Sequence, residues 1–120
     1  MENIRLSDSE CRLIAVIWEE EPVNSTELVR ICEQKYDWKK STTYTILKKL
    51  EQKKAVSNEG AVVVSLVDRQ QVIRTEGHEL LRKTGSSLPD FFAAFLQDRK
   101  LTKEEVARLY EMIQDAQEQE

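Results

Sequence analysis

Apolar residues recur at helical spacing through the first half of the chain. Cys11, Ile14, Ile17 and Trp18 fall at i, i+3, i+6 and i+7, one stripe of a helix. Ser7-Asp8-Ser9-Glu10 just ahead is a capping-box pattern, in which the serine oxygen and the glutamate three residues on satisfy each other's orphan amides, so the first helix is predicted to open at Ser7. Glu19-Glu20-Glu21 and then Pro22 end it, because the residue before proline avoids the helical region. A second helix is predicted to open at Asn24, with Glu27 three residues on as a second capping-box-like start. It carries Leu28, Val29, Ile31 and Cys32 and fades near Lys35. A third runs from about Lys40 to Lys53. Thr43, Ile46, Leu47 and Leu50 form its buried stripe, and Ser41, Tyr44, Thr45 and Lys48 fall on the opposite face.

The texture then changes. Ala55-Val56-Ser57 suits a short strand, Asn58-Glu59-Gly60 a turn, and the valine-rich stretch from Ala61 to Val67 a second strand, which together make a small hairpin. Beyond Asp68 the pattern is helical again, from Gln70 to Lys83. Gly85-Ser86-Ser87 breaks it. Ser87 caps a further helix with Pro89 in its first turn, where the missing amide proton does no harm, and Leu101-Thr102-Lys103-Glu104-Glu105 starts a last helix with another capping box. The predicted class is mainly α with a small β-hairpin. Residues 1–70 form one domain of three helices and a hairpin, and residues 71–120 form a helical region.

Helix, helix, basic helix, hairpin is the order of a winged helix-turn-helix, in which the third helix enters the major groove and the hairpin lies beside the backbone. The residue types on that helix suit the task. Ser41, Thr42 and Thr45 are short donors and acceptors that can approach base edges, and Tyr44 adds a hydroxyl and a flat face. Lys39, Lys40, Lys48 and Lys49 flank them and can neutralise phosphates, which fixes position rather than sequence.

Charge alters this picture only through its placement. The net charge is −4, yet Lys35 to Lys54 holds seven lysines against two acids, a local +5 that leaves −9 for the rest. The hairpin tip is acidic at Glu59 and would be repelled by phosphate, so it is expected to add little to affinity. The two cysteines, Cys11 and Cys32, lie among apolar residues and read as small buried hydrophobes; with neither CxxC nor CxC and a single histidine, His78, no metal site is predicted. No glycine-rich phosphate loop or nucleophile–base pairing points to an enzyme, and no cofactor is implied. The 120 residues include no apolar run near the roughly 20 needed to span a bilayer. Met1-Glu2-Asn3-Ile4-Arg5 does not resemble a secretory signal, so a cytoplasmic protein is expected.

The last two predicted helices carry more apolar surface than they can bury against each other: Leu88, Phe91, Phe92, Phe95 and Leu96 on one, Val106, Leu109, Tyr110 and Ile113 on the other. Patches of several hundred Å² usually mark partners, and self-association as a homodimer through Phe91, Phe92, Phe95, Leu96, Val106, Leu109, Tyr110 and Ile113 is the economical reading.

Three stretches carry a family resemblance. Ser9 to Trp18 places a glutamate eight residues before a tryptophan with aliphatics between. Asp37-Trp38 is followed by Ser41-Thr42-Thr43-Tyr44-Thr45-Ile46-Leu47, and Leu101 to Val106 opens the last helix. The sequence resembles the penicillinase and methicillin-resistance repressors, a group that also contains copper-transport repressors. The resemblance implies a winged-helix domain, a helical dimerisation region, binding of double-stranded operator DNA with dyad symmetry, and repression relieved by an inducing signal. It places Trp38 in the turn before the third helix and Ser41, Thr42, Tyr44, Thr45 and Lys48 on DNA. In the drug-resistance repressors induction cuts an asparagine–phenylalanine bond. The corresponding pair here is Ala94-Phe95, which lacks the asparagine, so cleavage there by a regulatory protease does not carry over. The copper repressors' CxC tail is also missing from Gln114 to Glu120. The inducer stays open, as does an alternative favoured by the net acidity and the acidic hairpin tip: a winged-helix module that binds protein rather than DNA.

Overall fold

A computed structural model of the chain describes residues 4–117. Ser7 begins the first helix, α1 (Asp8–Glu20), with both reciprocal bonds of the capping box: Glu10 N–H donates to Ser7 Oγ at 3.2 Å and Ser7 N–H to Glu10 Oε1 at 2.9 Å. α2 (Ser25–Tyr36) starts differently from the predicted box. Asn24 Oδ1 accepts from Thr26 N–H at 2.9 Å, while Glu27 turns outward to pair with Arg30. Asp37 closes α2 in the left-handed conformation, φ 58°, and α3 (Lys40–Gln52) follows. The two strands of the hairpin are Val56–Glu59 and Val62–Ser65.

The sheet holds one strand more than the sequence pattern predicts. Val23–Asn24, between Pro22 and α2, pairs antiparallel with the second hairpin strand, Val23 opposite Val63 and Asn24 opposite Val62. In chain order these are β1 (Val23–Asn24), β2 (Val56–Glu59) and β3 (Val62–Ser65), arranged β1-β3-β2. Two residues are too short a run to show a period of their own. Gly60 and Ala61 close the hairpin with φ values of 59° and 67°, both positive as a two-residue type I′ turn requires.

The core lies where α1, α2, α3 and β3 meet. Leu13, Ile14 and Ile17 of α1, Leu28 and Cys32 of α2, Leu47 and Leu50 of α3, and Val63 of β3 are all buried. Burial pushes the Cys32 thiol up, and Cys11 and Cys32 are both free. Trp18 Nε1 donates to the Val67 carbonyl at 2.9 Å, and the Glu21 carboxylate accepts from Ser65 N–H at 2.7 Å and from its hydroxyl, tying the end of α1 to the hairpin base.

The first compact unit extends through Leu80 and the second begins at Leu81, whereas the change in sequence texture falls near residue 70. The difference is the first half of α4 (Arg69–Thr84). Asp68 and Gln71 exchange reciprocal backbone–side-chain bonds at its start, Val72 is buried in the core, and Glu76 accepts from Leu6 N–H at 3.3 Å. In the second unit, α5 (Leu88–Leu96) and α6 (Lys103–Asp115) open with the capping boxes Ser87–Asp90 and Thr102–Glu105. No described helix is long and apolar enough to cross a membrane.

Candidate nucleic-acid interface

The residues that position α3 are those of its inner face. Thr43, Ile46, Leu47 and Leu50 recur at i, i+3, i+4 and i+7, and all four are buried against α1, α2 and β2. That fixes the rotation of the helix, and its opposite face is left in solvent. Lys39, Lys40, Ser41, Thr42, Thr45, Lys48 and Lys49 are all exposed there. Tyr44 is the exception among the residues read as groove-facing: it is half-buried and packs against the core, with Lys40 Nζ 6.0 Å from its ring centre. A tyrosine next to the buried stripe is wide enough to lean onto it, which a helical wheel does not show.

Two details alter the chemistry of this face. Thr45 Oγ1 donates to the Ser41 carbonyl one turn back at 2.8 Å, so its proton is engaged and it offers a lone pair and a methyl group. Lys39, the residue before α3, makes no side-chain cap, which leaves the first-turn amides of the helix without that partner.

Charge is sorted by the fold. Lys53 is exposed but already engaged: its ammonium is ion-paired to Glu10 and donates to the Arg5 carbonyl at 2.8 Å. Glu10 is 3% exposed. Burial pushes its carboxyl up, but the Lys53 hydrogen bond, the Ser7 amide and the charges of Lys53 and Lys49 together hold it below the ordinary value. Sequence spacing gave no sign of this pair, whose members stand 43 residues apart.

The turn that leads into α3 carries a cluster the sequence reading did not assemble. The rings of Tyr36 and Trp38 lie 4.9 Å apart, Arg12 and Lys35 approach the Tyr36 ring, and Tyr36 Oη donates to the Arg12 carbonyl at 3.3 Å. Trp38 stands in the turn before α3, as the resemblance implies, and packs against the core. At the hairpin tip Glu59 is exposed, and no lysine or arginine lies between Lys54 and Arg69.

In the second unit, α5 and α6 contain no buried residue. Phe91 stacks on Phe95 with ring centres 5.6 Å apart. Phe92, Leu96, Val106, Leu109, Tyr110 and Ile113, with Leu88, Pro89 and Leu101, line an open apolar cleft of about 510 Å³. Phe91, Phe92 and Leu109 are half-buried; Phe95, Leu96, Val106, Tyr110 and Ile113 are exposed. Ala94 and Phe95 are exposed residues near the end of α5.

Comparison with known proteins agrees with this architecture. The penicillinase repressor family profile matches residues 6–115. The chain is similar to the penicillinase repressor of Bacillus licheniformis, 27% identical over 116 residues that cover 92% of this chain and 91% of that one. The fold is similar to the solution structure of the DNA-binding domain of the repressor BlaI, with a TM-score of 0.51 and 26% identity over 58% of this chain and 90% of that one. It is similar also to monomeric Bacillus licheniformis BlaI in complex with the blaP half-operator, with a TM-score of 0.50 and 26% identity over the same shares. The first unit is a winged helix-turn-helix, and with a family match that takes in nearly the whole chain, this protein belongs to the penicillinase repressor family.

Proposed function

We propose that this chain is a sequence-specific DNA-binding transcriptional repressor, which occupies a palindromic operator as a homodimer and is released by an inducing signal. The observation that carries the reading is the outer face of α3: Ser41, Thr42 and Thr45 stand exposed between Lys39 and Lys40 at one end and Lys48 and Lys49 at the other, on a helix whose inner face is locked into the core. Short hydroxyl side chains suit base edges, and the lysines suit phosphates. Tyr44, half-buried beside Lys40, joins this face less fully than a projecting side chain would. The complex of a relative with its half-operator supports the same use of the first unit.

The helical stretch 71–120 supplies dimerisation in this reading, through the apolar residues of α5 and α6, none of which is fully buried. A DNA-binding role supports a cytoplasmic location. The Ala94-Phe95 pair lacks the asparagine of the drug-resistance repressors, which speaks against release by cutting there.

Selection of bound duplexes from a random DNA pool tests the reading. One palindromic site is expected to emerge, with half-sites about one helical turn apart. Folded protein that enriches no sequence and binds no duplex at low salt would remove the proposal.

A further inference from the structure

We propose a second phosphate-binding site beside the recognition helix, formed by Arg12 and Lys35 at the ring of Tyr36. It rests on the DNA-binding reading and extends it to residues outside the exposed face of α3. The Arg12 guanidinium carbon lies 5.8 Å from the centre of the Tyr36 ring and Lys35 Nζ lies 5.7 Å from it, both within reach of its π face. The Tyr36 hydroxyl is tied to the Arg12 carbonyl, and its ring packs on Trp38 at 4.9 Å. Trp38 N–H donates to the Cys32 carbonyl at 3.4 Å, and the next residue, Lys39, is the cap of α3. Two cations are thereby fixed one aromatic ring away from the start of the recognition helix.

Arg12 and Lys35 are exposed, and among the described residues neither is ion-paired. Arg5, Arg30, Lys53 and Arg99 each have a carboxylate. Both cations approach the same ring, so one anion beside it can draw on both charges. The planar guanidinium fork matches two phosphate oxygens, and the lysine adds a point charge. The ligand is a backbone phosphate of the duplex, next to the stretch that the first turn of α3 reaches. Such a contact adds affinity without sequence preference.

The test uses the full chain, the duplex recovered by selection, and a mixed-sequence duplex of equal length. Arg12→Gln and Lys35→Gln are expected to weaken binding to both duplexes by similar factors. Each should make log K against log salt shallower by about 0.9 per phosphate lost. Arg12→Lys keeps the charge and is expected to retain most of the slope. Circular dichroism verifies folding; should Arg12→Gln unfold, Lys35→Gln at the exposed end of α2 carries the test. Unchanged slopes in folded variants, on DNA that the wild type binds, overturn the site. A wild type that binds neither duplex at low salt overturns the DNA reading itself. Inorganic phosphate in place of chloride at matched ionic strength is expected to weaken DNA binding of the wild type more than that of Arg12→Gln, because both anions seek the same cations. Phosphate that binds the wild type, is lost in Arg12→Gln and leaves DNA affinity unchanged would mean a free-phosphate site and overturn the assignment to duplex.

Discussion

Thr45 faces solvent with its hydroxyl proton already given to Ser41, so what it offers a base is one acceptor and one methyl group. Loss of both in Thr45→Ala is expected to cost about 1–3 kcal/mol on the selected operator and far less on mixed-sequence DNA. Equal losses on the two duplexes would make Thr45 a backbone contact. Glu10 sets a different kind of test. Its carboxyl is held below the ordinary value of 4.5, so the folded state favours the charged form. That stabilisation is complete above about pH 4.5 and is lost as pH falls through the lower folded value. The stability gap between wild type and Glu10→Gln, read from urea midpoints, is therefore expected to be widest near neutrality and to narrow below pH 4.5. A gap that stays constant with pH would sink this account. The contrast between Lys48 and Lys53 shows what sequence can and cannot convey. Both are lysines of one basic stretch, and the helical period correctly put Lys48 on the outer face. Lys53 is withdrawn because a carboxylate from another helix reaches it, a long-range fact with no local signature. Tyr44 is half-buried for a related reason: periodicity fixes where a Cβ points, while a large ring chooses which neighbours to cover.

At the scale of elements, helices were legible and strands less so. The caps read at Ser7 and Ser87 and the box within Leu101–Glu105 each marked a helix start, because a cap is a local bargain between groups three positions apart. The hairpin was legible as a hairpin, but its strands came out displaced, Val56–Glu59 and Val62–Ser65, because pairing with β1 and the two-residue turn set the register. The turn itself carries a cost. Ala61 sits at φ 67°, where a Cβ crowds the following carbonyl. Relief of about 1–2 kcal/mol of strain, less about 0.4–1 kcal/mol of unfolded-chain entropy, leaves Ala61→Gly more stable by about 0.5–1 kcal/mol. A thermal melt checks this, and a lowered midpoint would mean that the alanine methyl makes a contact worth more than the strain.

For the whole molecule, the order of elements was enough to name the winged helix, while the pairing of two copies rests on the uncovered faces of α5 and α6. Leu109 is half-buried in the apolar cleft of the second unit. Leu109→Asp is expected to give a monomer by sedimentation with an intact first unit, and operator binding falls with it. A variant that still sediments as a dimer would place the interface elsewhere. The two halves of the chain also differ in what dilution does to them. The first unit has its own buried core; α5 and α6, of 9 and 13 residues, bury no residue fully. Helices that short are marginal in water without a surface to lie against. Far-ultraviolet dichroism is therefore expected to weaken as the protein is diluted, and to start weak in Leu109→Asp; a signal independent of concentration would show that these helices stand alone. Copy number in the cell then becomes a control in its own right. If the chain binds as the proposed dimer, then while monomers predominate the occupied fraction of the promoter rises with about the square of the number of chains, so that a modest fall in synthesis or a modest rise in turnover would open the gene without any change in the protein's grip on its site.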